Sequence, residues 1–359
     1  MKKPSKQVRS NVLNALLIVG TILIVLYLGA KNGDISASLA AILQCDKKWL
    51  LIALGSWIGS LACEGIINYV FFRQQHVKAG FWSTMHIAVL GVFYSNITPA
   101  STGGQPMQVF AFRKRGIAPG VASSSLTVKF FCFQVAMLTL GGGLWISHAG
   151  FVASCAEGAK WMILFGFLLN GASVGLVLLL AINKNIVRFL IFLILKAGEK
   201  LHIVKDIAST SSKIDATLNE FHASVDMITH HPLQLLVLLL FSYLQVIGLM
   251  SVSYCTCRAL GVVGLDYTQA MTLQLLLFLA ASFMPLPGAS GAQEGGYALL
   301  YAKVVPGDLL FASLLLWRFV TYYFPILVGL CSTIYESAYS IRRNSQKGQA
   351  EQQELSGKE

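Results

Sequence analysis

The sequence has 359 residues, of which 55% are hydrophobic and only 12% are charged, and its formal net charge is +11. Soluble domains carry about a quarter charged residues, so this composition excludes an ordinary soluble domain and indicates a polytopic membrane protein. On such a chain the positive charge reflects topology and anionic lipid more readily than nucleic acid, and no nucleic-acid-binding motif accompanies it.

Apolar runs of about 20 residues, the length that crosses a bilayer, recur along the chain. We predict full spans at 11–30, 49–72, 121–145, 160–182, 233–257 and 309–335. Two further apolar runs, 82–97 and 268–284, are shorter, and each leads into a Pro/Gly/Ser-rich break and then another short apolar segment. Irregular backbone at membrane depth must be covered by protein or line a cavity, so we interpret 82–112 and 268–305 as re-entrant helical hairpins.

The segment between the two halves differs in composition. Apolar residues recur there at steps of three and four, as on one face of a helix, which predicts amphipathic cytoplasmic linker helices at 183–231. The polar end of the chain, 341–359, is typical of a disordered tail. The predicted fold is therefore an all-α polytopic membrane protein with about six spans and two hairpins. Its sections are 1–48 with the first span, 49–145 as repeat one, the connecting span 146–182, the linker, 232–340 as repeat two, and the tail.

The distribution of lysine and arginine predicts the orientation. If the N-terminus is cytoplasmic, the inner segments hold 19 of these residues and the outer loops hold six. Because cytoplasmic loops are enriched in positive charge, we expect both termini in the cytoplasm.

The two breaks resemble each other. Pro99-Ala-Ser-Thr-Gly-Gly-Gln105 and Pro287-Gly-Ala-Ser-Gly-Ala-Gln293 lie 188 residues apart, and the same offset carries the spans flanking the first break close to those flanking the second. Agreement of the spans argues against chance similarity of small residues. The first hairpin is entered from the predicted cytoplasmic side and the second from outside, which predicts two inverted repeats. In many transporters built this way, the broken helices mark the substrate site.

Four ionisable residues are predicted at membrane depth: Glu64, Lys129, Glu294 and Arg318. A charge there costs a few kcal/mol unless it is paired or hydrated, so its default interpretation is functional. Lys129 and Arg318 occupy neighbouring positions of the two repeats, and two cations beside backbone N–H groups suit an anion such as a lipid phosphate. The alternative is that Glu64–Lys129 and Glu294–Arg318 are ion pairs that only hold the bundle together.

The candidate substrate-binding set also includes polar and small residues of the two breaks. These are Ser101, Thr102, Gly103, Gly104, Gln105, Ser290, Gly291 and Gln293. The two glutamines either bind a headgroup or satisfy loop backbone. Glu64 and Glu294 are also candidates for proton coupling, because buried carboxylates can be tuned toward neutral pH.

Motifs of ATP-binding, metalloprotease and hydrolase sites are absent from the sequence. We therefore expect no catalytic residue, no metal and no cofactor. Transport would be driven by a gradient, or would run downhill as in a scramblase.

The segments NITPASTGGQPMQVFAFRKRG and FMPLPGASGAQEGGY resemble the transmembrane domain of bacterial lysylphosphatidylglycerol synthases of the multiple peptide resistance type, and of their stand-alone relatives. The resemblance covers about residues 10 to 340. It implies a flippase-like role in the bacterial inner membrane. The paired breaks and paired cations lead us to expect a phosphate-bearing lipid as the substrate: phosphatidylglycerol, its lysyl derivative or a polyprenyl-phosphate carrier.

In two-part members of this family a separate soluble domain transfers the amino acid. The chain ends at Glu359, soon after the last predicted span, so we expect that domain to be absent. Two alternatives remain open: a membrane component of phosphatidylglycerol lysyltransferase-type lipid modification, and a non-transporting partner of a separate lipid synthase.

Overall fold

A computed structural model describes residues 35–183, 186, 219–223, 225–226 and 230–336. The predicted first span 11–30, the tail 341–359 and most of the linker helices lie outside the described residues. In the described part the chain is helical, with short connections and no strand, which confirms the all-α prediction.

The helices differ widely in length. They are α1 (Ile35–Leu43), α2 (Lys47–Gln74), α3 (Phe81–Ile97), α4 (Gly104–Lys114), α5 (Pro119–Ser147), α6 (Ala149–Cys155), α7 (Lys160–Ile182), α8 (Pro232–Ala259), α9 (Tyr267–Ala281), α10 (Ala292–Tyr301) and α11 (Gly307–Arg318). Short 3₁₀ turns, Pro99–Ser101 and Pro287–Ala289, lie in the two breaks, and a π-helical turn, Phe319–Tyr323, carries α11 on toward Glu336.

Five of the helices are long and apolar enough to cross a membrane: α2, α5, α7, α8 and α11 with its extension. They coincide with the five predicted spans that fall in the described residues, and they confirm a multi-pass membrane protein. The short helices α1 and α6 were not predicted as separate elements, because neither is long enough to give a span signal.

Local sequence accounts for several helix ends. The side chain of Asp46 accepts a hydrogen bond of 2.8 Å from the backbone N–H of Lys48 and so caps the start of α2. Asp266 and Gln269 form a capping box at the start of α9. Proline stands in the first turn of α5 and of α8, where its missing N–H costs no hydrogen bond.

Helices α2 and α8 pack antiparallel along their length. The rings of Trp49 and Tyr254 meet near one end, with centroids 5.8 Å apart. Phe71 and Leu238 share a buried cluster near the other end. At the middle, a Cβ on Gly248 would lie only 3.0 Å from the carbonyl oxygen of Ser56, so glycine permits the close approach of the two backbones.

Each break joins two helices into a hairpin. In the first hairpin the ring of Phe112, near the end of α4, lies 4.8 Å from the ring of Phe72, near the end of α2. Helix α3 begins a few residues after α2 ends, so the end of α4 lies near the start of α3. In the second, the hydroxyl of Tyr301 at the end of α10 donates to the backbone carbonyl of Ala270 in the first turn of α9. Each hairpin therefore opens at the end of the bundle where its first helix begins. Whether either hairpin re-enters a membrane stays a prediction.

The offset of 188 residues between the two repeats is present in the structure as well as in the sequence. The 3₁₀ turns, α4 with α10, and α5 with α11 all begin 188 residues apart. Ala100 and Ser101 have φ of 51° and 54°, and the residues 188 positions later, Gly288 and Ala289, have φ of 59° and 51°. Because the first helices of the two units, α2 and α8, run antiparallel, the units are inverted relative to each other.

Candidate functional site

The two breaks contact each other. The backbone N–H of Ala100 donates a 3.2 Å hydrogen bond to the carbonyl of Pro285. The hydroxyl of Tyr322 donates to the carbonyl of Asn96, at 3.4 Å. The two breaks are therefore neighbours in the structure, although they are far apart in sequence.

The first break is closed by local contacts. The hydroxyl of Thr98 donates to the carbonyl of Tyr94 at 2.6 Å and accepts from the backbone N–H of Gly103 at 2.8 Å. A Cβ on Gly104 would lie 2.6 Å from the carbonyl oxygen of Gly91. These glycines thus permit tight packing of α4 against α3, and the N–H of Gly103 is already bonded.

The remaining polar candidates of the first break face outward. Ser101, Thr102 and Gln105 are exposed. Thr102 donates its hydroxyl hydrogen to the carbonyl of Pro99, at 2.9 Å. These three members of the predicted binding set therefore lie at the surface of the described structure.

The second break is more buried. The hydroxyl of Ser290 donates to the carbonyl of Pro287 at 2.6 Å, and the N–H of Gly291 donates to Oε2 of Glu294, also at 2.6 Å. A Cβ on Gly288 would lie 2.2 Å from the ring of Tyr322. Gln293 is buried, and its Oε1 has no hydrogen-bond partner among the described residues. The matched glutamines, Gln105 and Gln293, therefore sit in different environments.

One buried ion pair lies beside the first hairpin. Nζ of Lys129 on α5 is 2.5 Å from Oε1 of Glu64 on α2. Gln108 on α4 bridges the two, since its amide donates to Glu64 at 2.9 Å and its oxygen accepts from Lys129 at 3.3 Å. The amide of Gln245 on α8 lies 3.5 Å from the other oxygen, Oε2 of Glu64. Four helices thus meet at one ion pair.

Neighbouring polar groups extend this cluster. The amide of Asn68 donates to the backbone carbonyl of Glu64, and the hydroxyl of Ser125 donates to the amide oxygen of Asn68. A Cβ on Gly91 would lie 2.2 Å from the amide nitrogen of Gln108, so glycine leaves the space that this side chain fills. We refer to Glu64, Lys129, Gln108 and Gln245 as the first charge cluster.

A second ion pair lies beside the second hairpin. Nη2 of Arg318 is 2.7 Å from Oε1 of Glu294 and also donates to the carbonyl of Gly288, at 3.2 Å. The guanidinium lies over the rings of Trp317 and Tyr322, at 5.2 and 5.3 Å, where cation–π attraction supports it. Both charged side chains are almost fully buried, and Arg318 immediately precedes the π-helical turn, a feature frequent at functional sites.

The structure therefore joins the four charges in the pairing that the sequence suggested. Pairing is required of any buried charge, so it is common to a functional site and to a structural one. Gln108 and Gln245 were missed, because single glutamines in apolar helices carry no motif. Gln108 had one signal: it lies four residues after Gly104, on the same face of a short helix.

A third charged group was also missed. Glu336 lies at the far end of the α11 extension. Its Oε2 is 3.1 Å from Nε2 of His86 on α3 and 2.7 Å from Nη2 of Arg115, which follows α4. The hydroxyl of Ser332 is 3.1 Å from Nδ1 of the same histidine. From sequence, Arg115 belongs to a basic group, residues 113–115, that is either a topology signal or a means of attracting anionic lipid to the inner mouth. In the structure it helps to fasten the open end of the first hairpin to the last span.

Two inverted units, each with a broken helical hairpin and an ion pair, define a multi-pass membrane protein built from two repeats. Residues 12–329 match the family model described as the lysylphosphatidylglycerol synthase TM region, and the chain belongs to that family. Membership supports a role connected with membrane lipids.

Two curated proteins are similar over much of the chain. A UPF0104 membrane protein of Archaeoglobus fulgidus is 28% identical over 293 residues, which is 79% of this chain and 84% of that protein. An uncharacterized protein of Mycoplasma genitalium is 20% identical over 348 residues, 89% of this chain and 86% of that protein. The similarity thus extends across both hairpins.

Proposed function

We propose that the protein is a lipid translocase that moves a phosphate-bearing lipid between the two leaflets. The observation that carries this proposal is the meeting of two helix breaks with a buried cation beside each, Lys129 near the first and Arg318 near the second. Cations at membrane depth are expensive, and a lipid phosphate passing between leaflets needs such partners.

The lipid class follows from charge and family. Phosphatidylglycerol, its lysyl derivative and a polyprenyl-phosphate carrier each carry an anionic phosphate, and the family is connected with lysylphosphatidylglycerol. In this proposal both termini face the cytoplasm of a bacterial cell, and Gln105 and Gln293 lie along the headgroup route. The inner mouth is flanked by the basic residues 113–115.

Reconstituted vesicles test the proposal. Purified protein is placed in liposomes with a trace of headgroup-labelled phosphatidylglycerol, lysyl-phosphatidylglycerol or polyprenyl phosphate, and label exposure to an impermeant quencher is followed. We expect faster exchange than in protein-free liposomes for at least one of these lipids. Folded protein that accelerates none of the three would contradict the proposal.

Variants assign the site in the same vesicles. We expect Lys129→Met to slow exchange at least about tenfold, because a buried cation facing phosphate is worth more than one factor of ten, about 1.4 kcal/mol. Lys48→Met is the matched control, since Lys48 is exposed at the start of α2. Arg318→Lys retains the charge and should keep more activity than Arg318→Met. Wild-type exchange in both Lys129→Met and Arg318→Met would remove these residues from the site.

A second candidate function rests on the family's description as part of a lipid synthase. The chain would then be the membrane component of lipid modification, or the partner of a separate synthase. Mass spectrometry of labelled phosphatidylglycerol after incubation with the protein separates the candidates. Covalent turnover, alone or only with a co-purified enzyme, would favour the second.

A further inference from the structure

The two ion pairs differ in what holds each carboxylate. Glu294 lies in the first turn of α10, where the helix dipole favours negative charge, and its Oε2 accepts from the N–H of Gly291 at 2.6 Å. Its other oxygen faces Arg318, and the side chain is fully buried. Backbone and guanidinium thus both contact this carboxylate, which forms part of the second break.

Glu64 has no such support. It lies in the middle of α2, far from a helix end, and its side-chain partners are other side chains. Lys129 and Gln108 both contact Oε1, whereas Oε2 has only the 3.5 Å contact with the amide of Gln245. One oxygen of Glu64 is therefore poorly supplied with donors.

Gln245 supplies an independent observation. Its own oxygen, Oε1, is buried and has no hydrogen-bond partner among the described residues. The oxygen and nitrogen of an amide exchange places by a half-turn of the side chain. After that turn the unpartnered oxygen faces Oε2 of Glu64, and a proton on Oε2 would satisfy both atoms. The cluster thus holds an acceptor for a protonated Glu64.

Charge balance indicates when Glu64 would take up that proton. The pair Glu64–Lys129 is neutral, so a phosphate diester entering beside Lys129 would leave one uncompensated negative charge in a region from which water is largely excluded. Such a charge is strongly unfavourable, and one proton taken up by the neighbouring carboxylate cancels it. Lysine suits this exchange, because its ammonium is a point charge on a flexible stem that is able to change partners.

We propose that Lys129 exchanges the carboxylate of Glu64 for the substrate phosphate, while Glu64 takes up one proton from the bulk solution on its Oε2. The protonated carboxyl group keeps this proton and donates a hydrogen bond through it to the amide oxygen of Gln245. Glu294 keeps its contact with Arg318 throughout and takes up no proton, so Arg318 offers its positive charge to the lipid phosphate without changing its own partner. The added phosphate charge and the added proton charge cancel, so lipid binding is linked to the uptake of one proton. This inference rests on the proposed function and assigns the coupling to one of its two ion pairs.

The surroundings of Glu64 support this assignment. Lys129 comes from α5, and the neutral amides of Gln108 and Gln245 come from α4 and α8. Helix α3 approaches α2 here with the thioether of Met85, which lies against Gly65. The titratable group next to it, His86, is bonded instead to Glu336 and Ser332. Within the described residues, Lys129 is thus the charged group in contact with Glu64.

Proton uptake on lipid binding is the direct test. Short-chain dihexanoyl phosphatidylglycerol is added to detergent-purified protein in weakly buffered solution that contains a pH indicator, with protein-free micelles as the blank. We expect the uptake of one proton per lipid bound. The affinity for the lipid should then fall by about tenfold for each unit by which the pH is raised, in the range where every binding event takes up a full proton. Glu64→Gln should bind the lipid with no proton uptake and with an affinity independent of pH.

Two further variants keep the test sharp. Glu157→Gln, at a carboxylate 86% exposed, is the matched control and should behave as the wild type. Gln245→Met removes the acceptor and should reduce both affinity at low pH and proton uptake, while Glu64 remains. Thermal unfolding of each variant shows that it is folded.

The outcomes separate the two proposals. Lipid binding and translocation without proton uptake, or uptake that persists in Glu64→Gln, would overturn the coupling and leave the translocase standing. Folded protein that neither binds nor translocates any of the tested phosphate lipids would overturn both. Uptake lost in Glu64→Gln but not in Glu157→Gln supports the coupling.

Discussion

The equivalent turn positions of the two breaks, Ala100 and Gly288, differ in the space that surrounds them. Gly288 has φ of 59°, and a Cβ there would lie 2.2 Å from the ring of Tyr322. The residue 188 positions earlier, Ala100, has φ of 51° and carries a Cβ, so the left-handed turn itself tolerates a side chain. At Gly288 the requirement is therefore space for Tyr322 as much as backbone freedom.

We expect Gly288→Ala to lower the free energy of unfolding by about 1–3 kcal/mol, because the strained turn remains and the ring must move. Gly295→Ala is the control: Gly295 is exposed in α10, a Cβ there meets nothing within 4 Å, and alanine is the better helix former. Denaturant unfolding in detergent measures both. Equal stability of the two variants would show that Tyr322 yields without cost.

At the scale of elements, one end of the last span holds the first hairpin. Glu336, at the end of the α11 extension, is nearly fully buried and pairs with Arg115 and His86 of the first hairpin. By contrast, Lys303 and Glu157 at the second hairpin are exposed and 3.9 Å apart. Because a buried charge left without its partner is penalised far more than an exposed one, only the first contact should matter for stability.

We expect Glu336→Ala to destabilise the protein by about 2–4 kcal/mol, since it leaves Arg115 without its carboxylate in a largely buried position. Glu157→Ala should change the stability by less than about 0.5 kcal/mol. Thermal unfolding in detergent compares the two. A small effect of Glu336→Ala would mean that water or lipid readily replaces this carboxylate.

The sequence was informative about elements where their signal was long or repeated. Hydropathy alone predicted the five described spans, and Pro-Gly composition predicted both breaks. It failed for α1 and α6, whose few residues give no span signal, and for Gln108 and Gln245, whose role depends on four helices meeting in space. Pairing of Lys129 with Glu64 and of Arg318 with Glu294 was foreseen, because membrane-buried charges need partners. The different support of the two carboxylates was visible only in the structure.

At the scale of the molecule, the inverted units place the open ends of the two hairpins at opposite ends of the bundle. Phe112 and Phe72 mark one end, and Tyr301 and Ala270 mark the other. If the bundle spans a membrane, the residues just beyond α4 and just beyond α10 must reach water on opposite sides. This consequence of the fold does not depend on what the protein does.

We therefore expect opposite labelling of two single-cysteine variants in intact bacterial cells. Arg113→Cys should react with an impermeant maleimide only after the cells are permeabilised, whereas Lys303→Cys should react in intact cells. The reason is that the distribution of lysine and arginine predicts a cytoplasmic position for the open end of the first hairpin. Lys78→Cys, at the other mouth of the first hairpin, should behave as Arg113→Cys, since both ends of a re-entrant hairpin lie on one side. Cys331, which is exposed on the α11 extension, is first replaced by alanine in every variant. The same protein without an added cysteine measures the background labelling of the remaining native cysteines. Labelling of Lys78→Cys and Arg113→Cys from opposite sides would show that α3 and α4 together cross the membrane, and the re-entrant interpretation would then be wrong.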